Sequence, residues 1–296
     1  MKKILVLPGG GKKGYIQLSV LAAMEYKYGP LYEYFDLIVA TSVGAINGSI
    51  IASGKISCRD YLPEFVDICK KTFVKSYFTR PPFVRPIYDR SPIISAIEKY
   101  CGKMLMSETK TKFMSTALSW VDKRTHFFKS WEHVDGTEIL PDVVSRSFAA
   151  PYYFGKVVDP KNSQVWGDGG VGQNNTPLDY AYVEAIRQEW LGAVDFYLVG
   201  TGYSTETESY KTAKSMGVVS ELLNYLDFAD GGIARYQSHF QQIQKMQIIT
   251  NSNPNIRFFN IDCEIPDSLD VMDYSDLSKY DPYIKIMLEE LKRIDR

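Results

Sequence analysis

Histidine is scarce in this chain: His126, His133 and His239 are the only three in 296 residues. No two of them have the close spacing of a metal site, so no metal is expected. The four cysteines (Cys58, Cys69, Cys101 and Cys263) are widely spaced and form no disulfide framework. Free thiols in a reducing compartment are the expectation. Long apolar runs are missing too. No segment approaches the roughly 20 residues needed to span a bilayer. Ile4 to Leu7, after Met1-Lys2-Lys3, is too short for a signal peptide. A cytoplasmic protein is expected, meeting a membrane at its periphery if at all. Nor does one sign of charge dominate: 34 basic residues face 35 acidic ones, a net charge of −1. No global field draws the chain to nucleic acid or to an acidic membrane. There is no internal repeat and no low-complexity run. A hydrophobic content of 45% with 23% charged residues is that of a globular protein, and the length suits one large domain.

The most informative stretch is Ile38-Val39-Ala40-Thr41-Ser42-Val43-Gly44-Ala45. An apolar strand enters a small-residue turn with serine at its centre, and a small-residue helix comes next. That is the layout of a nucleophile elbow, in which a tight strand-to-helix turn pushes the serine hydroxyl clear of the backbone. Ala40 stands where the usual Gly-x-Ser-x-Gly pattern has its first glycine. The turn survives this if position 40 does not need a positive φ. A helix-capping serine is the plain alternative.

Near the N-terminus, strand Ile4 to Leu7 runs into Pro8-Gly9-Gly10-Gly11-Lys12-Lys13-Gly14, and Tyr15 to Tyr26 has helical spacing. Consecutive glycines before a helix expose backbone N–H groups that suit a phosphate or a transient oxyanion. Gly9-x-Gly11-x-x-Gly14 also matches a dinucleotide fingerprint. That fingerprint needs an acid at the end of the next strand. Here the next strand, Leu37 to Ala40, ends in Thr41-Ser42, and Asp36 lies at its start. A Walker A loop needs Lys-Ser/Thr after its second glycine, but Tyr15 comes after Gly14.

Further on, Val165-Trp166-Gly167-Asp168-Gly169-Gly170 places an aspartate among glycines, preceded by Ser147-Phe148-Ala149-Ala150-Pro151-Tyr152-Tyr153-Phe154. By itself the former is an Asp-Gly turn. With the other two motifs it resembles the patatin-like phospholipase family, whose pattern is Gly-Gly-Gly-x-Arg/Lys-Gly, then Gly-x-Ser-x-Gly, then Asp-Gly-Gly/Ala. All three occur here in that order, over about residues 3 to 180. Residues 205–296 show nothing specific to the family and are expected to be a helical part of the same domain. Pro8, where many members have aspartate, and Ala40 depart from the pattern.

The resemblance implies a patatin-like three-layer α/β/α sandwich around a largely parallel sheet, and a dyad of Ser42 as nucleophile and Asp168 as base. A serine hydroxyl attacks only when a base takes its proton, and partial desolvation makes a carboxylate a better base. The N–H groups of Gly9, Gly10 and Gly11, with Val43, would form the oxyanion hole. Lys13 and Gly14 would support the loop, with a solvated surface lysine as the alternative for Lys13. Gly44, Gly169 and Gly170 would shape the elbow and the aspartate loop. The rival is a triad in the order Ser42, Asp168, His239. However, His239 lies in a polar helical stretch and reads as a surface or partner-facing residue.

Alternating strand and helix patterns agree with the sandwich. Helices are expected over Val43–Ser53, Tyr61–Phe73, Ser91–Tyr100, Gly136–Phe148, Pro177–Gln188 and Tyr283–Ile294. Strands are expected over Phe113–Val121, Thr125–Ser130 and Phe196–Gly200. Lys70 to Arg90 interleaves aromatic and basic residues around three prolines, which suits either a membrane interface or a loop packed on the core. Phe78, Arg80, Phe83 and Arg85 are its candidate lipid contacts. Met216 to Ile249 reads as core helices, a lid or a dimer surface.

The expected function is hydrolysis of membrane glycerophospholipid esters without a cofactor. A thioesterase or small-ester hydrolase with the same dyad, or a degenerate binding module, are the alternatives. No motif names an activating ligand, and oligomeric state is open. The hydrolase and nucleotide readings separate in a thermal-shift titration. NAD and ATP should leave the melting temperature unchanged, whereas a saturable rise that Gly11→Ala removes would favour the phosphate-binding loop.

Overall fold

The computed structural model describes residues 1–73, 86–171, 174–204, 233–266, 269 and 276–294. Eight strands form one sheet: β1 (Lys2–Leu7), β2 (Leu37–Ala40), β3 (Lys112–Ser119), β4 (Arg124–Lys129), β5 (Val157–Asp159), β6 (Gln164–Asp168), β7 (Val194–Val199) and β8 (Ile256–Ile261). The order β5-β6-β3-β2-β1-β7-β8, with β4 paired to β3, leaves β3, β2, β1, β7 and β8 mutually parallel. Pairs β3–β4, β3–β6 and β5–β6 are antiparallel.

The described helices are α1 (Gly14–Tyr28), α2 (Leu31–Tyr34), α3 (Val43–Ser53), α4 (Cys58–Thr72), α5 (Ser91–Cys101), α6 (Leu140–Ser147), α7 (Leu178–Arg187), α8 (Ile233–Ser252) and α9 (Asp281–Arg293). Alternation along β1 divides the core. Leu5 and Leu7 pack with residues of α1, α3, α4, α5, α6 and α9, while Ile4 and Val6 pack with α7 and α8 on the other face. Strands buried on both faces and helices covering each make the three-layer sandwich. Every residue of α3 is buried, as expected of a helix with no polar face. Its small residues let it lie close to the sheet. A Cβ on Gly48 would stand 3.0 Å from Phe113 and 3.1 Å from Ile38.

Several expected elements occur with small shifts in their ends. The helix expected from Gly136 begins instead at Leu140, because Pro141 fits only the first turn, where its missing N–H costs nothing. Gly136 belongs to a separate one-turn 3₁₀ helix, Asp135–Thr137. Strands β5, β6 and β8 add to the expected ones. β8 is half-exposed along its middle and lies at the sheet edge, so its residues show no clean alternation. All four cysteines are free and buried. No described helix is long and apolar enough to cross a membrane.

Pairing along β3 brings two strand ends together. β4 occupies one edge of β3 from Met114 to Ser119. β2 pairs with Lys112 to Ser115, and β6 pairs with Ala117 to Ser119. Both must therefore lie on the other edge, running toward each other and ending on either side of Thr116. The next residues after β2 and the last residue of β6 meet there.

Gly44 shows how tight this end of the sheet is. A Cβ there would sit 2.1 Å from the Leu7 carbonyl oxygen and 2.7 Å from that of Pro8. Gly44→Ala should destabilise the fold by about 1–3 kcal/mol or more, since backbone cannot give way as a side chain can. The melting temperature should fall by several degrees, whereas Gly192→Ala, with nothing within 4 Å, should leave it unchanged.

Candidate active site

Ser42 stands between β2 and α3 with φ 55° and ψ −122°. A non-glycine residue in this region is strained, and in a strand-to-helix turn that strain presents the side chain outward. Ala40 lies within β2, paired with Leu7 and Ser115, and its φ is not positive. The alanine departure from the elbow pattern therefore costs the turn nothing. Gly44 is the glycine the turn requires, because α3 begins against the end of β1.

Asp168 is the last residue of β6, rather than a loop residue, and is only 5% exposed. Ser42 Oγ donates to Asp168 Oδ2 at 2.6 Å. Asp168 Oδ1 accepts from the Gly170 N–H at 2.6 Å, which orients the carboxylate. Gly169 has no room for a side chain, since its Cβ would stand 2.1 Å from Thr116 Oγ1. Thr116 in turn donates to Thr41 Oγ1 at 2.8 Å, because Thr41 gives its own proton to the Asn174 carbonyl at 3.1 Å.

The segment Ser147 to Ala149 ties the two halves together. Ser147 Oγ accepts the Ser42 N–H at 2.9 Å, the Ser147 carbonyl accepts the Gly169 N–H, and the Ala149 carbonyl accepts the Asp168 N–H. The three motifs alone assign Ser147 no role. Its position at the end of α6, just before Phe148-Ala149-Ala150-Pro151, was the available signal.

The glycine loop lies directly against Ser42. A Cβ on Gly9 would come within 2.9 Å of Ser42 Cβ and 2.5 Å of Asn175 Oδ1, and one on Gly10 within 2.3 Å of Thr201 Oγ1. The expectation that Gly9 donates to an oxyanion is corrected here. Its N–H is already given to the Asn175 carbonyl at 3.2 Å. Its carbonyl accepts from Asn175 Nδ2 at 3.2 Å and from Thr201 Oγ1 at 3.1 Å. Among the described residues, the N–H groups of Gly10, Gly11 and Val43 donate to no protein acceptor. Gly9 is thus a clamped residue, while Gly10 and Gly11 keep free donors. Gly14 packs so closely on Val43 that a Cβ would meet Cγ2 at 2.2 Å. Lys13 is buried, contrary to the solvated alternative, and its charge acts on the buried Asp262.

An apolar pocket includes Ser42 and Gly11 in its wall. Val43 and Ile46 of α3, Tyr61, Phe65, Ile68 and Cys69 of α4, and Ile93, Phe148 and Phe154 complete most of it. The α4 residues recur at helical spacing on one face. Burial pushes the Cys69 thiol up to about 12, so it stays neutral there.

The histidines have other partners. His126 faces Asp135 at 3.2 Å, and His133 is exposed. His239 is buried rather than on the surface. Its Nδ1 lies 2.9 Å from Thr176 Oγ1, because α8 packs its polar side over the 174–176 segment. Asp36, at the opposite end of the sheet, accepts from Lys2 Nζ and the Lys3 N–H. Phe78, Arg80, Phe83 and Arg85 lie outside the described residues, as do residues 216–232. Phe73 and Tyr88, from the same aromatic-basic stretch, are core residues whose rings meet edge to face at 5.3 Å. Among the described residues no group of acidic, histidine or cysteine side chains is arranged to hold a metal ion.

Residues 5–182 match the family model described as patatin-like phospholipase. The chain belongs to the patatin-like phospholipase family. A cGAMP-activated phospholipase of Escherichia coli is 29% identical over 238 residues, 72% of this chain and 65% of that protein. One of Vibrio cholerae is 29% identical over 198 residues, 58% of this chain and 55% of its own length. A cUMP-AMP-activated phospholipase of Escherichia coli is 49% identical over 53 residues, 18% of this chain and 17% of that protein. The match thus spans less than two thirds of the length of the first two relatives. Among solved structures, VipD of Legionella pneumophila aligns over 97% of this chain and 66% of that one, at 10% identity and a TM-score of 0.45.

The elbow of this patatin-like chain gives a direct test. Ser147→Ala leaves the Ser42 N–H without its acceptor in a half-buried turn, at a cost of about 1–3 kcal/mol. Denaturant unfolding should show a lower midpoint with an unchanged slope.

Proposed function

We propose that this protein is a lipid acyl hydrolase that cleaves ester bonds of membrane glycerophospholipids through an acyl-enzyme on Ser42. The observation that carries the reading is the 2.6 Å hydrogen bond from a strained, outward-facing Ser42 hydroxyl to the buried Asp168 carboxylate. A serine so placed has its base within reach and needs no histidine.

In this reading the Asp168 carboxylate takes the Ser42 proton as Oγ bonds to the ester carbonyl carbon. The carbonyl oxygen becomes an oxyanion that the N–H groups of Gly10 and Gly11 stabilise, each such donor being worth about 3–4 kcal/mol in other hydrolases. Collapse breaks the ester C–O bond, and Asp168 returns the proton to the departing lysolipid oxygen. Water then attacks the acyl-enzyme, Asp168 takes its proton, and the fatty acid leaves as Ser42 is reprotonated. The apolar pocket beside Ser42 supports a long acyl chain as the bound group, since burying each methylene contributes about 0.8 kcal/mol. Peripheral contact with a membrane is the natural consequence of such a substrate.

The names of the similar phospholipases extend the proposal to regulation: a cyclic dinucleotide would be the activating ligand of this protein as well.

Lipid mass spectrometry on glycerophospholipid vesicles tests both parts. Wild-type protein with cGAMP or cUMP-AMP should release free fatty acid and lysolipid, and Ser42→Ala should release none. Asp168→Asn should lower turnover by at least about 10²-fold, the scale of a lost general base. His126→Ala and His133→Ala should keep most activity. Release that is undiminished in Ser42→Ala would refute the assignment; release equal with and without dinucleotide would refute the activation alone.

A further inference from the structure

Asp262, just past the end of β8, has a side chain only 2% exposed, although it lies well outside the stretch that matches the family model. Three connections run from its carboxylate to the glycine loop. The first goes through the turn after β7. Asp262 Oδ1 accepts the N–H groups of Gly202 and Cys263, both at 2.9 Å. It packs so closely that Gly200 has no room for a Cβ, which would stand 1.9 Å from the Asp262 carboxyl carbon. That turn carries Thr201, whose hydroxyl holds the Gly9 carbonyl and whose side chain abuts Gly10.

The second connection goes through α8. His239 Nε2 lies 3.7 Å from Asp262 Oδ2, and its Nδ1 lies 2.9 Å from Thr176 Oγ1. Thr176 is next to Asn175, which engages both the N–H and the carbonyl of Gly9. The third is electrostatic. The Lys13 ammonium acts on Asp262, and the Lys13 N–H holds the Gly10 carbonyl at 3.1 Å.

We propose that Asp262 is a positioning residue for the hydrolytic reaction: with His239 and Lys13 it forms a buried clamp that fixes the glycine loop in the geometry its N–H groups need when the oxyanion forms. Burial pushes the Asp262 carboxyl up to about 6, against the pull of its two N–H donors and of Lys13. A buried acid without a use is costly to keep, and hydrogen-bonded buried networks give rigidity and a unique arrangement. A loop that presents backbone donors to a short-lived charge needs that rigidity, because reorganisation at the moment of reaction would forfeit the stabilisation.

The proposal rests on the hydrolase reading, so the experiment separates the two. With cGAMP or cUMP-AMP present throughout, hydrogen exchange of the backbone at residues 8–14 is measured beside turnover of a short p-nitrophenyl ester and the rate of Ser42 labelling by a fluorophosphonate. Asp262→Asn should speed exchange in the loop. It should also lower kcat and labelling at least about tenfold while KM stays within about twofold, because the loop matters most in the transition state. Thr201→Val breaks one branch alone and should give a smaller effect of the same kind. In the double variant the losses should fall short of the product of the single ones, as for residues acting in one chain of contacts. Should Asp262→Asn not fold, Thr201→Val with Thr176→Val carries the test. Unchanged loop exchange, or kcat losses that merely track the folded fraction, would overturn the clamp. If the loop loosens in Asp262→Asn but wild-type protein neither turns over ester nor labels at Ser42, the hydrolase reading fails, and with it the catalytic purpose of the clamp.

Discussion

The meeting of two strands on one edge of β3 is the constraint on which the rest of the site depends. β2 and β6 approach from opposite directions and stop on either side of Thr116. A strand edge offers one line of backbone hydrogen bonds, so two strands sharing it must abut end to end. The last residue of one and the residues just past the other are thereby brought into contact, and the Ser42–Asp168 bond forms at that junction. The glycines nearby answer the same crowding. Gly169 lies against Thr116, and Gly44 lies against the end of β1. A side chain on Gly169 would push the end of β6 off β3, and one on Gly44 would push α3 off the end of β1.

A second set of contacts holds the glycine loop above this junction. A loop of consecutive glycines has the largest conformational entropy to lose, and it does not stay in one shape unaided. Here Gly9 is fixed by three hydrogen bonds with Asn175 and Thr201, which leaves Gly10 and Gly11 their free N–H groups. Deeper in, Gln17 Nε2 donates to the Val199 carbonyl at 2.9 Å, and Asn47 Nδ2 donates to Gln17 Oε1 at 3.0 Å, joining α1 and α3 to β7. The donors are exposed because their neighbours are held elsewhere.

Polarity differs sharply between the two sides of Ser42. Toward α4 and α5 the surroundings are aromatic and aliphatic. Toward β7 and β8 they are polar and charged, with Lys13, Asp262 and His239 all buried.

Local sequence by itself determined the elements whose signals are local. The strand Leu37–Ala40 and the helix Val43–Ser53 have the predicted bounds, because an apolar run, a small-residue turn and a helix of small and apolar residues need no distant partner to be read. Three short motifs in order pointed to the family for the same reason. Only the tertiary structure decided which atoms those motifs present. Gly9 could not be told from Gly10 until Asn175, 166 residues away, took its N–H. His239 looked like a surface residue because its helix is polar, and it is buried because that polar face meets Thr176 and lies beside Asp262. Asp168 read as a turn residue, yet it ends a strand whose pairing with β3 no local pattern encodes. Hydrogen-bond partners and burial depend on residues far apart in the chain, and only packing brings them together.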